Sequence, residues 1–194
     1  MLILRRLSND IILYHGSYTE VSSIDLSKCR QGLDFGRGFY LTSSEEQAVN
    51  FVKNSVSKAI KLGRVPADFV LADGIVSVFR YKKLPNIIEH YFDEADIEWL
   101  HFVIGNRNRA FFQDFVNKIS SADIIGGKIA NDRTVQTLDA YMTGAYGIPG
   151  SKEADEMAIK TLLPNRLKDQ YCFKTEKALA SLEFVKGKKY AEYF

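Results

Sequence analysis

The chain has 194 residues, of which 46% are hydrophobic and 26% charged, and its formal net charge is +2. A chain of this length can bury a substantial core as one domain, and ordinary apolar and charged fractions exclude the fibrous and disordered classes. The near balance of charge excludes a general electrostatic steering towards nucleic acid or an anionic membrane surface.

The opening stretch "MLILRRLSNDIILYHGS" has an apolar run of only four residues before Arg5 and Arg6, too short and wrongly ordered for a signal peptide. "DIILYHG", Asp10 to Gly16, is an apolar, isoleucine-rich run closed by glycine and predicts a buried strand ending at His15. The polar stretch from Ser17 to Gly38 predicts a long loop, and loops of that length are usually functional or disordered. Within it, Asp34-Phe35-Gly36 has the form of a protein kinase's metal-holding triplet. The glycine-rich loop, lysine-bearing strand and catalytic loop that such an enzyme needs are missing, so the triplet requires another explanation.

"FYLT" predicts a second short strand. Ser43 followed by Glu46 forms a capping-box pattern, and a helix from Glu45 to Leu62 is expected, with Ala48, Phe51, Val52, Ser55, Val56 and Ala59 on one face. Asp73-Gly74 predicts a turn and "IVSVFRY", Ile75 to Tyr81, a strand. Asp93 to Ile104 is expected to be helical, Ala122 to Gly127 a buried strand, and Asp132 to Tyr146 a helix. Glu153 to Leu163 predicts a further helix stopped by Pro164. "DQYCFKT", Asp169 to Thr175, alternates as a strand, after which Thr175 caps a short helix leading into "LEFV". Short strands and helices in irregular order predict an α+β fold in a single domain spanning residues 1–194.

Cys29 and Cys172 are the only cysteines, too few for a disulfide framework or a metal knuckle. Cys172 reads as a small buried hydrophobe, and His90 and His101 as surface and helix-face residues. Three histidines without close acidic or cysteine partners predict no metal site. No segment approaches the roughly 20 apolar residues of a membrane span, so a soluble, cytoplasmic protein with no membrane contact is expected. The basic "VKGKKY" predicts a solvated tail. "GNRNR", Gly105 to Arg109, carries two arginines able to grip phosphates or acidic groups.

"YHGS" at Tyr14 to Ser17 and "GRGFYLT" at Gly36 to Thr42 resemble the first two motifs of the ADP-ribosyltransferase superfamily, in its histidine-tyrosine-glutamate branch. The whole chain resembles an uncharacterised bacterial family of that superfamily with glutamine at the third motif position, here Gln170. A lone histidine at a strand end, or aromatics at strand and helix spacing, would ordinarily be structural; only the joint pattern points to a site. The resemblance implies a split β-sandwich of two small sheets flanked by helices, with an NAD cleft between the sheets.

It further implies His15 on the adenosine ribose, Gly16 on the nicotinamide amide, Ser17 on a neighbouring ribose, and Tyr40 stacked on the nicotinamide with Phe51 as a second aromatic. The catalytic set would be His15, Tyr40 and Gln170. The residue types suit the chemistry. Cleaving nicotinamide from ribose passes through an oxocarbenium-like transition state, so a site must fix the flat leaving ring and both riboses and present electron-rich groups to the developing charge. Asp34 and Arg37 would tie down the preceding loop or touch the pyrophosphate.

Two departures stand out. Ala48 occupies a position where relatives often carry serine, which removes a hydrogen bond worth about 1 kcal/mol. Gln170 replaces glutamate, so it brings no negative charge, and Glu176 lies a strand-to-helix turn away. The expectation is a mono-ADP-ribosyltransferase that uses NAD as co-substrate to modify an intracellular macromolecule, with a protein acceptor favoured over nucleic acid. By analogy it would be a bacterial toxin of a toxin–antitoxin or defence system, with a small antitoxin protein as partner. The alternatives are an inactive NAD-binding or interaction module and an NAD glycohydrolase.

Overall fold

The computed structural model describes residues 4–129, 132–162 and 168–194. Its strands form two small sheets, and the fold class is α+β. In the first sheet β1 (Ile12–Ser17) and a strand at Leu182–Lys189 flank a central strand at Ile75–Tyr81, all antiparallel. The second sheet runs, in spatial order, Phe39–Leu41, Asp169–Phe173, Ile124–Lys128 and Glu89–Tyr91. In chain order these strands are β2 (Phe39–Leu41), β3 (Ile75–Tyr81), β4 (Glu89–Tyr91), β5 (Ile124–Lys128), β6 (Asp169–Phe173) and β7 (Leu182–Lys189). Among the described residues, only β4 and β5 pair in parallel.

The side-chain period of two divides the second sheet cleanly. Ile124, Tyr171 and Phe173 face the first sheet, where they join Leu13, Phe79 and Tyr81 in one apolar cluster. Their neighbours Ile125 and Cys172 face the other way, into a cluster with Phe35, Trp99 and Leu138. Helices α2 (Ile97–Arg107), α4 (Asp132–Met142) and α5 (Lys152–Leu162) supply much of that outer layer. A third, smaller cluster seats α1 (Glu45–Lys61) on Val76 of the first sheet through Ala48, Val49, Val52 and Val56.

The two sheets meet at one point of the backbone, where Tyr14 and Thr42 exchange hydrogen bonds of 2.9 and 3.0 Å. That bridge brings the end of β2 alongside β1. Helix α1 starts immediately afterwards, capped by Ser44, whose side chain accepts from the Gln47 amide, with Glu45 and Glu46 in its first turn and Lys58 and Lys61 in its last. Both charge placements complement the helix dipole. The cap is Ser44 rather than Ser43, so the Ser43/Glu46 capping box does not form; Ser44 has the extended backbone that an N-cap needs.

Other differences have similarly local causes. Helix α2 begins at Ile97 because Asp96, with its side chain accepting from the Trp99 amide at 2.9 Å, caps it. Strand β4 and helix α3 (Gln113–Ile119) were not expected. β4 is only three residues long and half-buried, and α3 follows a left-handed residue, Phe112, with no side-chain cap, so neither carries an ordinary start signal. "VKGKKY" is no tail: most of it continues β7, paired to β3. Pro164, expected to stop α5, lies outside the described residues. Among the described residues, no helix is long and apolar enough to cross a membrane.

Candidate functional site

A cleft of about 640 Å³ opens where β1, β2 and β6 come together beside the start of α1. His15, Gly16, Asp34, Tyr40, Phe51 and Gln170 all line it. Ser17 and Arg37 do not: Ser17 is buried at the end of β1, and exposed Arg37 turns away to donate through Nε to the Leu26 carbonyl at 2.9 Å. Arg37 thus ties down the 17–38 loop on its outer side.

His15 stands on β1 opposite Ser77. Its Nδ1 lies 2.9 Å from the Tyr40 carbonyl oxygen, and a carbonyl can only accept. Neutral His15 therefore carries its proton on Nδ1 and leaves Nε2 as an acceptor. The ring packs against Phe39 at a centroid distance of 4.6 Å. Burial lowers the imidazole pKa, partly opposed by the bond to Tyr40, so the neutral acceptor form is favoured.

Gly16 is required by a close approach. A Cβ there would lie 2.0 Å from the Ala48 carbonyl oxygen and 3.1 Å from the Val52 nitrogen, so any side chain would lift α1 off β1. The same contact holds Ala48, 2% exposed, at the cleft wall. Next to it, Gln47 also lines the cleft, and its Oε1 is buried without a partner among the described residues. Phe51, expected on the same face as Ala48, Val52, Val56 and Ala59, is instead half-exposed at 49% and not part of the buried α1 stripe, in which Val49 takes a place; it borders the cleft.

Tyr40 is anchored at its far end. Its hydroxyl donates to the Gly36 carbonyl at 2.7 Å and accepts from the Phe35 amide at 3.0 Å, which closes the Asp34–Gly36 loop onto β2. Gly36, with φ of +79°, supplies the left-handed turn that makes this closure. Burial pushes the phenol pKa well above its ordinary value, so the hydroxyl stays protonated. The ring stacks on Phe35, fully buried, at 6.5 Å. This is what Asp34-Phe35-Gly36 does here: Phe35 fills the outer core, Gly36 turns, and Asp34 faces the cleft.

Asp34 is 4% exposed and joins two distant segments. Its Oδ1 accepts from Arg107 Nε at 2.8 Å and Nη2 at 2.6 Å, and its Oδ2 accepts from Gln170 Nε2 at 2.8 Å. Gln170 Nε2 also donates to the Lys128 carbonyl at 3.3 Å, the same oxygen that receives the Trp99 indole N–H at 3.0 Å. Lys128 itself pairs with Asp169 at 2.6 Å. "GNRNR" signalled Arg107 as a cation of interest, but its partner lies 73 positions away in the chain, which no local pattern reveals.

The opposite wall comes from the 17–38 loop, through Val21, Ile24, Lys28 and Arg30 among others. Sequence reading gave these loop residues no role, because a loop without periodicity carries no directional signal. The cleft therefore combines aromatic and aliphatic surface with an imidazole acceptor, amides, the cationic Lys28, Arg30 and Arg107 and the acidic Glu20, Asp25 and Asp34, a lining suited to a molecule with flat rings and several polar groups. Among the described residues, no group of three or more His, Cys, Asp or Glu could hold a metal ion.

The model of one protein family, described as "Protein of unknown function (DUF3990)", matches residues 11–184. No curated protein and no solved structure matches the chain.

Proposed function

The chain belongs to the DUF3990 family of proteins of unknown function, and we propose that it is a mono-ADP-ribosyltransferase that uses NAD to modify an intracellular macromolecule. The observation that carries this reading is the convergence, in one cleft, of His15, Tyr40 and Gln170 from three segments far apart in the chain. These are the positions at which the chain resembles the histidine-tyrosine-glutamate branch of the ADP-ribosyltransferase superfamily.

NAD would supply an ADP-ribosyl group bound through ribose C1′ to a cationic pyridinium. In transfer, that C1′–N bond breaks and its electron pair leaves with nicotinamide, which departs neutral. C1′ bonds to a nucleophilic atom of the acceptor, which gives up its proton to solvent water. The residues fit such a substrate. His15 Nε2 is free to accept from a ribose hydroxyl, and Tyr40 and Phe51 offer aromatic faces to the pyridinium. Arg30 on the loop wall suits the pyrophosphate, whereas Lys28 beside it is shared with Asp25 at 3.7 Å. Analogy with small stand-alone enzymes of this branch extends the proposal to a bacterial toxin held in check by an antitoxin protein; fold alone does not establish that role.

A second reading, an NAD-binding module without turnover, is favoured by the neutral amide of Gln170 where the branch carries a carboxylate. One experiment separates the two. Purified protein is added to cell lysate with labelled NAD, beside His15→Ala and Tyr40→Ala. Label on a macromolecule with the wild type alone is the expected result, and nuclease treatment then tells protein from nucleic acid. Nicotinamide release without labelled acceptor identifies a glycohydrolase, and NAD binding without either product sinks the transferase.

A further inference from the structure

We propose that Asp34 is a positioning carboxylate that fixes the Gln170 amide with its carbonyl oxygen towards the cleft, so that a neutral glutamine presents an acceptor to a substrate sugar hydroxyl. The proposal deepens the transferase reading and rests on it for the identity of the sugar.

Both hydrogens of the Gln170 amide are committed, one to Asp34 Oδ2 at 2.8 Å and one to the Lys128 carbonyl at 3.3 Å. The reverse orientation would set Oε1 against a carboxylate and a carbonyl, two acceptors, so the surroundings decide which way the amide points. No described group donates to Oε1. Nor is Oε1 among the partnerless polar atoms sealed from solvent, which in the described residues are Gln47 Oε1 and Asp93 Oδ1. Because Gln170 lines the cleft, the cleft is the route by which Oε1 is reached.

The arrangement needs a buried anion, and Arg107 makes one tolerable. Its guanidinium holds Asp34 Oδ1 by two N–H groups while the other oxygen serves Gln170. The three residues come from the 17–38 loop, the last turn of α2 and the start of β6, so the orientation of Gln170 is set by groups outside its own strand. A hydroxyl donating to Oε1 would meet an amide polarised by the carboxylate behind it.

The test exchanges donor and acceptor. Asp34→Asn keeps an oxygen for Arg107 but turns an N–H₂ towards Gln170, which releases or reverses its amide. Asp34→Asn/Gln170→Glu restores the contact between positions 34 and 170 with the polarity inverted: the amide N–H₂ introduced at position 34 donates to one oxygen of the carboxylate introduced at position 170, and the other oxygen faces the cleft. The Lys128 carbonyl loses its Gln170 donor and keeps the Trp99 indole N–H. With nicotinamide release from NAD as the readout, Asp34→Asn is expected to lower kcat at least tenfold with KM within about threefold, and the double variant to regain part of the loss. Equal activity of Asp34→Asn and wild type, or a double variant no better than Asp34→Asn, overturns the proposal.

A second measurement does not depend on turnover. In nuclear magnetic resonance spectra of the wild type, the Gln170 side-chain N–H pair should exchange slowly, and Asp34→Asn, checked for an otherwise native spectrum, should remove that protection. If the wild type releases no nicotinamide, the transferase reading falls, and this measurement decides the amide orientation: protection lost in Asp34→Asn supports it, and a rapidly exchanging pair in the wild type overturns it.

Discussion

At the scale of single residues, the site is governed by which atom of each side chain is already occupied. His15 has Nδ1 committed to the Tyr40 carbonyl, Tyr40 has its hydroxyl committed to Phe35 and Gly36, and Gln170 has both amide hydrogens committed. What remains for a ligand is an imidazole acceptor, an aromatic face and an amide oxygen. His15 also gives a pH prediction. Burial depresses its pKa in the folded chain, whereas the unfolded chain titrates near the ordinary imidazole value of about 6.5. Between the folded value and about 6.5 the unfolded state therefore binds more protons, and stability is lost as pH falls through that window. Burial lowers His90 in the same direction, so the comparison must be with a variant. Urea unfolding of His15→Gln should show a weaker loss of stability below about pH 6.5 than the wild type; parallel pH profiles would refute the assignment.

At the scale of elements, the cleft depends on where α1 begins. Ser44 caps the helix while the Tyr14–Thr42 bridge fixes the chain just before it, and Gly16 lets the first turn settle on β1. Ser44→Ala is expected to cost about 1 kcal/mol, the usual loss of an N-cap, whereas Ser44→Asp, which keeps a capping oxygen, should cost much less. Chemical denaturation of the two variants checks this, and equal losses in both would refute the Ser44 cap. The sequence already marked β1, β2, α1, β3, β5 and β6, because each is a periodic run bounded by glycine or a capping side chain. It missed β4, α3 and the continuation of β7, whose existence depends on neighbouring strands and packing rather than on their own composition.

At the scale of the whole molecule, the second sheet is the shared wall of two cores. Ile124, Tyr171 and Phe173 serve the cluster between the sheets, and Ile125 and Cys172 the helical layer behind. Burial raises the Cys172 thiol to about 12, in keeping with a packing role at that wall. Layers that share a sheet cannot lose their packing independently, so one cooperative transition is expected. The single Trp99 lies fully buried in the helical layer, and its fluorescence should change with far-UV circular dichroism along one urea curve. Two separated midpoints would divide the chain into units.

The sequence by itself determined the elements that carry their own periodicity or caps, the α+β class and the three short motifs, because backbone periodicity, caps and turns act over a few residues. It also offered Asp34, Arg107 and Gln170 as separate polar residues. Only the tertiary structure decided that they form one hydrogen-bonded unit, that Arg37 faces outward and that Ser17 lies outside the cleft. Pairing between segments, and the side of a loop on which a charge falls, are set by how two sheets and a helix pack together, and no local spacing encodes that.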